Sequence, residues 1–187
     1  IVGSRKASSY GIRCAKKFAT EFARQNIVVV SGLAYGIDQA AHKATTDAKG
    51  KTIAVLGCGL LGSITSTQRY IAQNIIENGG TIFSEFPLEI CGLRHHYPYR
   101  NRVISGLCSG TLIVEATEKS GSILTAKSAI DQNRDVFCIP GQIDSETSKG
   151  TNILIRDGAY PALSPKDILL TMSIEAKPQE SQIQTPV

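Results

Sequence analysis

The sequence predicts an α/β protein with a doubly wound, mostly parallel sheet and helices on both faces. Two observations carry that prediction. Short apolar runs alternate with helix-length stretches nearly throughout the 187 residues, the pattern of a parallel sheet built from strand–helix units. Five of those runs also pass directly into glycine or small polar residues. They are Ile1-Val2 into Gly3-Ser4-Arg5, Val28-Val29-Val30 into Ser31-Gly32, and Ile53-Ala54-Val55-Leu56 into Gly57-Cys58-Gly59. The others are Leu112-Ile113-Val114 into Glu115-Ala116, with Ser120-Gly121-Ser122 beyond, and Val136-Phe137-Cys138-Ile139 into Pro140-Gly141. In an open α/β sheet such junctions gather at the carboxyl edge, where unpaired N–H groups at helix N-termini accept anions.

Each element has its own signal. Residues 9–25 set Ile12, Ala15, Phe18, Ala19 and Phe22 at helical spacing, with polar residues on the other face. Residues 36–47 read as a second helix and 67–78 as a third, with Ser66 or Thr67 as its N-cap. A strand at 81–84 follows Gly79-Gly80; a helix near 100–107, a strand at 111–114, a helix at 122–133 and a strand at 136–139 come next. Residues 141–152 are rich in Gly, Ser, Thr and Asp and read as a loop, followed by an apolar turn at 153–155 and a short helix starting near Ser164-Pro165. The expected organisation is one domain over 1–172 and a polar, disordered tail over 173–187. Because the chain opens at Ile1 inside a strand-like run, a preceding segment is expected.

Composition narrows the function classes. With 42% hydrophobic residues the chain can bury a sizeable core, and no apolar run approaches the roughly 20 residues that span a bilayer. Cys14, Cys58, Cys91, Cys108 and Cys138 form no C-x-x-C pair, which points to reduced, mostly buried thiols, a cytoplasmic location and no structural metal. The net charge of +4 is unevenly spread: residues 1–60 hold nine Lys/Arg against three Asp/Glu, and the remainder eleven against thirteen. A one-sided basic excess attracts polyanions, although a solvated helix face bearing Arg13, Lys16 and Lys17 gives the same count.

Catalytic patterns are poorly represented. Gly57-Cys58-Gly59-Leu60-Leu61-Gly62 is a literal G-x-G-x-x-G, but the best helix-start signals lie at 65–67 and the only acid ending the next strand is Glu85. A glycine turn fits better than a dinucleotide site, so no cofactor is expected. No G-x-S-x-G elbow exists. Asp38 and His42 are four apart on a helix and read as a local structural bond, while His95-His96 read as surface residues. Two segments fit anion binding. Tyr97-Pro98-Tyr99-Arg100-Asn101-Arg102 offers guanidinium forks for phosphate oxygens and tyrosine faces for stacking. Ser120-Gly121-Ser122 offers N–H groups and hydroxyls at a helix start.

Taken in order, these segments resemble the DNA-processing protein A family (DprA, also called Smf). The resemblance rests on Val2-Gly3-Ser4-Arg5, on Ser31-Gly32-Leu33-Ala34-Tyr35-Gly36-Ile37-Asp38 with Ala41-His42, and on 52–60. It continues through Ser84-Glu85-Phe86-Pro87, 97–107, Val114-Glu115-Ala116, 120–126, Ile139-Pro140-Gly141, Gly150-Thr151-Asn152 and Gly158-Ala159. It implies an extended Rossmann-like domain that binds single-stranded DNA, needs no cofactor, forms homodimers and helps load the RecA recombinase during natural transformation or recombination. By that resemblance Gly3, Ser4 and Arg5 are central to the DNA pocket, with Asn101 and its flanking arginines beside them. The expected division of labour is that Arg5, Arg69, Arg100 and Arg102 neutralise phosphates. Gly and Ser N–H groups at the junctions (Ser31, Gly32, Gly57, Gly59, Ser120, Gly121 and Ser122) set the path of the strand. One departure stands out: where the family carries an acid, a Tyr-Pro and a nearby Lys, this chain has Leu61-Gly62-Ser63-Ile64-Thr65-Ser66-Thr67-Gln68-Arg69, with Arg69 the nearest substitute for the lysine.

The rival reading is an enzyme on a similar fold, a nucleotide phosphoribohydrolase of the "lysine decarboxylase-like" type. Such enzymes need a Pro-Gly-Gly-x-Gly-Thr turn followed by a helical glutamate, and the matching stretch, 120–126, is followed here by Lys127 and Ser128. A protein-interaction scaffold, with the basic third incidental, is the remaining alternative.

Overall fold

The computed structural model describes residues 1–175. Helix α1 (Ser9–Arg24), strand β1 (Val29–Ser31), α2 (Ile37–Asp47), β2 (Thr52–Val55), α3 (Ser66–Glu77) and β3 (Thr81–Phe83) form the first half. The second half runs α4 (His96–Gly106), β4 (Gly110–Ile113), α5 (Gly121–Asp131), β5 (Asp135–Cys138), α6 (Glu146–Arg156), β6 (Tyr160–Pro161) and α7 (Pro165–Thr171). All strand pairings are parallel, in two groups ordered β1-β2-β3 and β4-β5-β6.

The first two residues join those groups. Val2 bridges Ile113 in parallel, its N–H donating to Leu112 O at 2.9 Å and its carbonyl accepting from Val114 N at 3.0 Å. On the other side Ile1 N donates to Val30 O at 2.9 Å, and Ser31 Oγ donates to Ile1 O at 2.6 Å. The sheet therefore reads β3-β2-β1-(Ile1-Val2)-β4-β5-β6. The chain winds outward to β3 and then returns through α4 to start again at β4. Strand order reverses between Val2 and β4, the topological switch point at which open α/β sheets bind ligands.

Alternation along the strands sorts the helices between faces. Ile1, Val29, Leu112, Val114, Phe137 and Ile139 pack against Phe18, Ala19 and Phe22 of α1, Ala41 of α2 and Leu169 of α7. Their neighbours Val2, Val30, Val55, Ile113, Val136 and Cys138 face Ile104 of α4 and Ala126 and Ala129 of α5. Ala54 and Leu56 pack on Ile71 and Ile75 of α3.

Four local expectations are corrected. Helix α4 starts at His96 rather than near 100, because Pro98 lies in the first turn, where its missing N–H would have no partner in any case. Residues 146–152, expected within a loop, open helix α6. Its inward face is built of Ser148, Gly150 and Thr151 instead of large apolar residues, and Gly150 N donates to Ala116 O at 2.8 Å. A Cβ on Gly150 would sit 2.7 Å from the carbonyl oxygens of Ala116 and Thr117, so the close approach requires glycine. The cap of α3 is Thr65, in a reciprocal box with Gln68. Residues 173–175 continue from α7, Ile174 N donating to Leu169 O at 2.8 Å and its side chain packing on the core. The rest of the expected tail lies outside the described residues.

Candidate nucleic-acid interface

At the switch point the carboxyl edge opens into a cleft of about 570 Å³, lined by the 2–6 turn, the first half of α4, the start of α5 and Thr147. Its floor is Gly3, where a Cβ would collide with Ile37 Cγ1 at 2.7 Å, so the turn can pass over α2 only as glycine. Ser4 Oγ accepts from Lys6 N at 3.1 Å, shaping the turn that presents Arg5 and Lys6. Both cations are exposed, and no described carboxylate pairs with either. The Arg5 guanidinium lies 5.1 Å from the centre of the Tyr97 ring, a cation–π distance that holds it at the cleft mouth.

The second wall is the start of α5. Ser120 is an extended N-cap whose hydroxyl accepts from Ser122 N at 3.4 Å and lies 2.8 Å from Ser122 Oγ. Gly121 is exposed, and a Cβ there would meet nothing. An 11-residue helix thus directs its positive end at the cleft. Asn101, on α4, spans to it by donating Nδ2–H to Gly121 O at 3.2 Å.

The third component is buried. Arg100 is 4% exposed; its guanidinium donates to Gly32 O at 2.8 Å, to Val55 O, and through Nε to Asn101 Oδ1 at 3.2 Å. It also lies 5.8 Å from the centre of the same Tyr97 ring. Burial lowers its pKa, and the nearby Asp38 carboxylate opposes that shift. Asp38 accepts from Gly32 N at 3.0 Å and Ala34 N at 3.4 Å; burial raises its pKa, against the pull of Arg100. The charged groups lining the cleft are Arg5, Lys6, Arg94, Arg100 and a single carboxylate, Asp38. A cleft with that balance concentrates anions.

The expected site residues divide accordingly. Gly3, Ser4, Arg5, Arg100, Asn101, Ser120, Gly121 and Ser122 come together around this cleft. Gly32 lines a neighbouring cleft of about 390 Å³ that shares Arg5 and Tyr97, but is covered by the Arg100 guanidinium, 2.7 Å from where its Cβ would be. Ser31 is buried, with its hydroxyl committed to Ile1 O. Gly57 and Gly59 do not present N–H groups to a ligand: both are buried, Gly57 against the Tyr97 ring and Gly59 under the 87–88 carbonyls, its N–H donating to Ile90 O. Arg69 is exposed on α3 and lines neither cleft. Arg102 donates from Nη2 to both oxygens of Glu85, at 2.8 and 2.9 Å, so its charge is already balanced by a carboxylate outside the cleft. The expectation that Arg100 and Arg102 both neutralise phosphates is corrected: one supports the floor from within, and the other is paired with Glu85 on the surface.

Sequence reasoning passed over Lys6 and Arg94. Lys6 was marked only by its place beside Arg5. Arg94 lies too far from Arg5 along the chain for any local pattern to join them. Asp38 and His42 do not bond to each other; His42 Nδ1 lies 2.8 Å from Thr52 Oγ1 instead. His96 is buried and stacked on Phe86 with ring centres 4.3 Å apart. Glu115, 2% exposed at the end of β4, accepts from Ser8 N at 2.9 Å, Ser8 Oγ at 2.5 Å and Thr147 Oγ1 at 3.2 Å, which ties three segments together. Among the described residues no group of three or more His, Cys, Asp or Glu could hold a metal, and no helix is long and apolar enough to cross a membrane.

Fold and cleft together define a Rossmann-like protein with a cation-lined cleft at its switch point. The chain belongs to the DNA recombination-mediator protein A family, whose pattern it matches over residues 1–173. It is 44% identical to Protein Smf of Escherichia coli over 169 residues, which is 90% of this chain and 45% of that protein. Among solved structures it is similar to DNA processing protein A of Streptococcus pneumoniae, with a TM-score of 0.81 and 40% identity over 90% of this chain and 59% of that one. It is also similar to DNA processing protein A of Helicobacter pylori, a structure described for its single-stranded DNA binding mode. There the TM-score is 0.83, with 26% identity over 94% of this chain and 80% of that one. The chain spans about half the length of the curated relatives it matches.

Proposed function

We propose that this chain is the single-stranded-DNA-binding module of a recombination mediator, without catalytic activity of its own. One observation carries the reading. Four cations, one carboxylate and the positive end of α5 converge on a single open cleft at the switch point. Phosphates of a flexible strand would meet Arg5 and Lys6 at the mouth and the first turn of α5 within, while the Tyr97 ring offers a stacking face. Family membership extends the reading to a cytoplasmic homodimer that protects incoming single strands and assists RecA loading. The phosphoribohydrolase alternative gains no support, since α5 carries Lys127 and Ser128 where such an enzyme needs its helical glutamate.

Fluorescence anisotropy on matched single- and double-stranded oligonucleotides tests the proposal. The wild-type chain is expected to prefer the single strand. Arg5→Glu should weaken binding at least tenfold, whereas Arg69→Glu, outside the cleft, should change it much less. Equal loss in both variants would show that general surface charge, rather than the cleft, takes the DNA. Release of free base from AMP by the purified chain would revive the enzyme reading.

A further inference from the structure

Behind Tyr97 two loops meet, and each carries a cysteine that the DNA reading does not use. Gly59 N donates to Ile90 O at 2.8 Å and Leu61 N to Leu88 O at 2.7 Å, which ties the 59–62 turn to the 87–90 turn. Cys58 precedes Gly59 and Cys91 follows Ile90, so the 59–90 hydrogen bond brings the two cysteines to the same end of the contact.

The side chains border the same corner. The Cβ of Cys58 is 3.1 Å from the point a Cβ on Gly62 would occupy, and Cys91 Sγ lies 3.7 Å from the hydroxyl of the next residue, Ser63. Both thiols are free in the structure; Cys58 is buried and Cys91 exposed. We propose that Cys58 and Cys91 form an oxidation-dependent disulfide that staples the two loops backing Tyr97.

The chemistry balances with hydrogen peroxide as oxidant. The exposed Cys91 thiolate attacks a peroxide oxygen; an S–O bond forms, the O–O bond breaks, and hydroxide leaves and takes a proton as water. The Cys58 thiol gives up its proton and the thiolate attacks the Cys91 sulfur; S–S forms, S–O breaks, and hydroxide leaves and takes that proton as a second water. The two thiols lose two electrons and peroxide gains them. Burial raises the Cys58 pKa, so the second step should quicken as pH rises. The other thiols differ in setting, Cys138 being pushed up to about 12 by burial.

The consequence would fall on the DNA cleft. A Cβ on Gly57 would lie 2.8 Å from the Tyr97 ring, and one on Gly92 2.7 Å from the Tyr97 hydroxyl, so both loops brace the side chain that Arg5 covers. The disulfide would close a covalent ring around α3 and β3 and fix that brace.

Mild peroxide treatment of the purified chain, followed by intact mass and non-reducing peptide mapping, tests the proposal. The expected result is loss of two hydrogens, a Cys58–Cys91 linked peptide, and a higher thermal midpoint that dithiothreitol reverses. Cys91→Ser, a surface change, should abolish all three, and Cys108→Ser should abolish none. Cys91 carried only to sulfinic acid, a link through any other cysteine, or a dimer joined through Cys91 would overturn it.

Discussion

Arg5 and Arg100 approach the same tyrosine ring from different environments, and their roles separate by burial. Arg100 satisfies carbonyls of two strand ends from inside the protein, so its loss strands those acceptors and leaves Asp38 without its compensating charge. Arg100→Met should cost about 3 kcal/mol or more of stability in urea unfolding. Arg5→Met, at an exposed position, should stay within about 0.5 kcal/mol while weakening DNA binding. Equal stability losses would contradict the assignment. His42 gives a second residue-scale prediction. Burial pushes its pKa from 6.5 to about 3, so below pH 6.5 the unfolded chain binds a proton that the folded chain refuses. Stability therefore falls as pH drops through that window, with a slope of up to about 1.4 kcal/mol per pH unit from this group. His42→Gln should flatten the fall in urea midpoint between pH 6.5 and about 5. An unchanged slope would mean that His42 is not the group responsible.

The elements were legible where their chemistry follows period and capping, and illegible where packing uses small residues. Helix α1 could be read from its apolar spacing because Ala15, Phe18, Ala19 and Phe22 are the residues it buries. Helix α6 could not, since Ser148, Gly150 and Thr151 form its buried face and carry the composition of a loop. The fit there is set by backbone approach rather than hydrophobicity. Gly150→Val should therefore cost about 2 kcal/mol by overpacking against the 116–117 carbonyls, read as a lower thermal midpoint. Helix α5 makes the complementary case. Its cap at Ser120 was plain from sequence, and Ser120→Ala should cost about 1 kcal/mol. Because that hydroxyl also orders the first turn facing the cleft, the same variant should weaken DNA binding. A loss of stability with DNA affinity untouched would place the strand elsewhere.

At the scale of the whole molecule, the sequence announced five glycine-rich or small-residue junctions and the fold uses them unequally. Those after Val2 and β4 flank the switch point and build the cleft. The junction after β2 is roofed by the 84–93 loop, a long-range contact that no local pattern encodes. Strand order decides which junctions stay open, and it emerges only when Ile1-Val2 inserts between β1 and β4. For the same reason Arg94, far from Arg5 in sequence, joins it in one cleft, while Arg102, two residues from Arg100, is turned away to Glu85. The central claim is that this cleft neutralises phosphates of a single strand. It is tested most directly by the slope of log affinity against log salt for a single-stranded oligonucleotide. Each phosphate neutralised contributes about −0.7 to that slope. Arg5→Glu should make the slope shallower by at least one such step and lower the affinity, whereas Arg102→Glu should leave the slope as it is. An unchanged slope and affinity for Arg5→Glu would contradict the account.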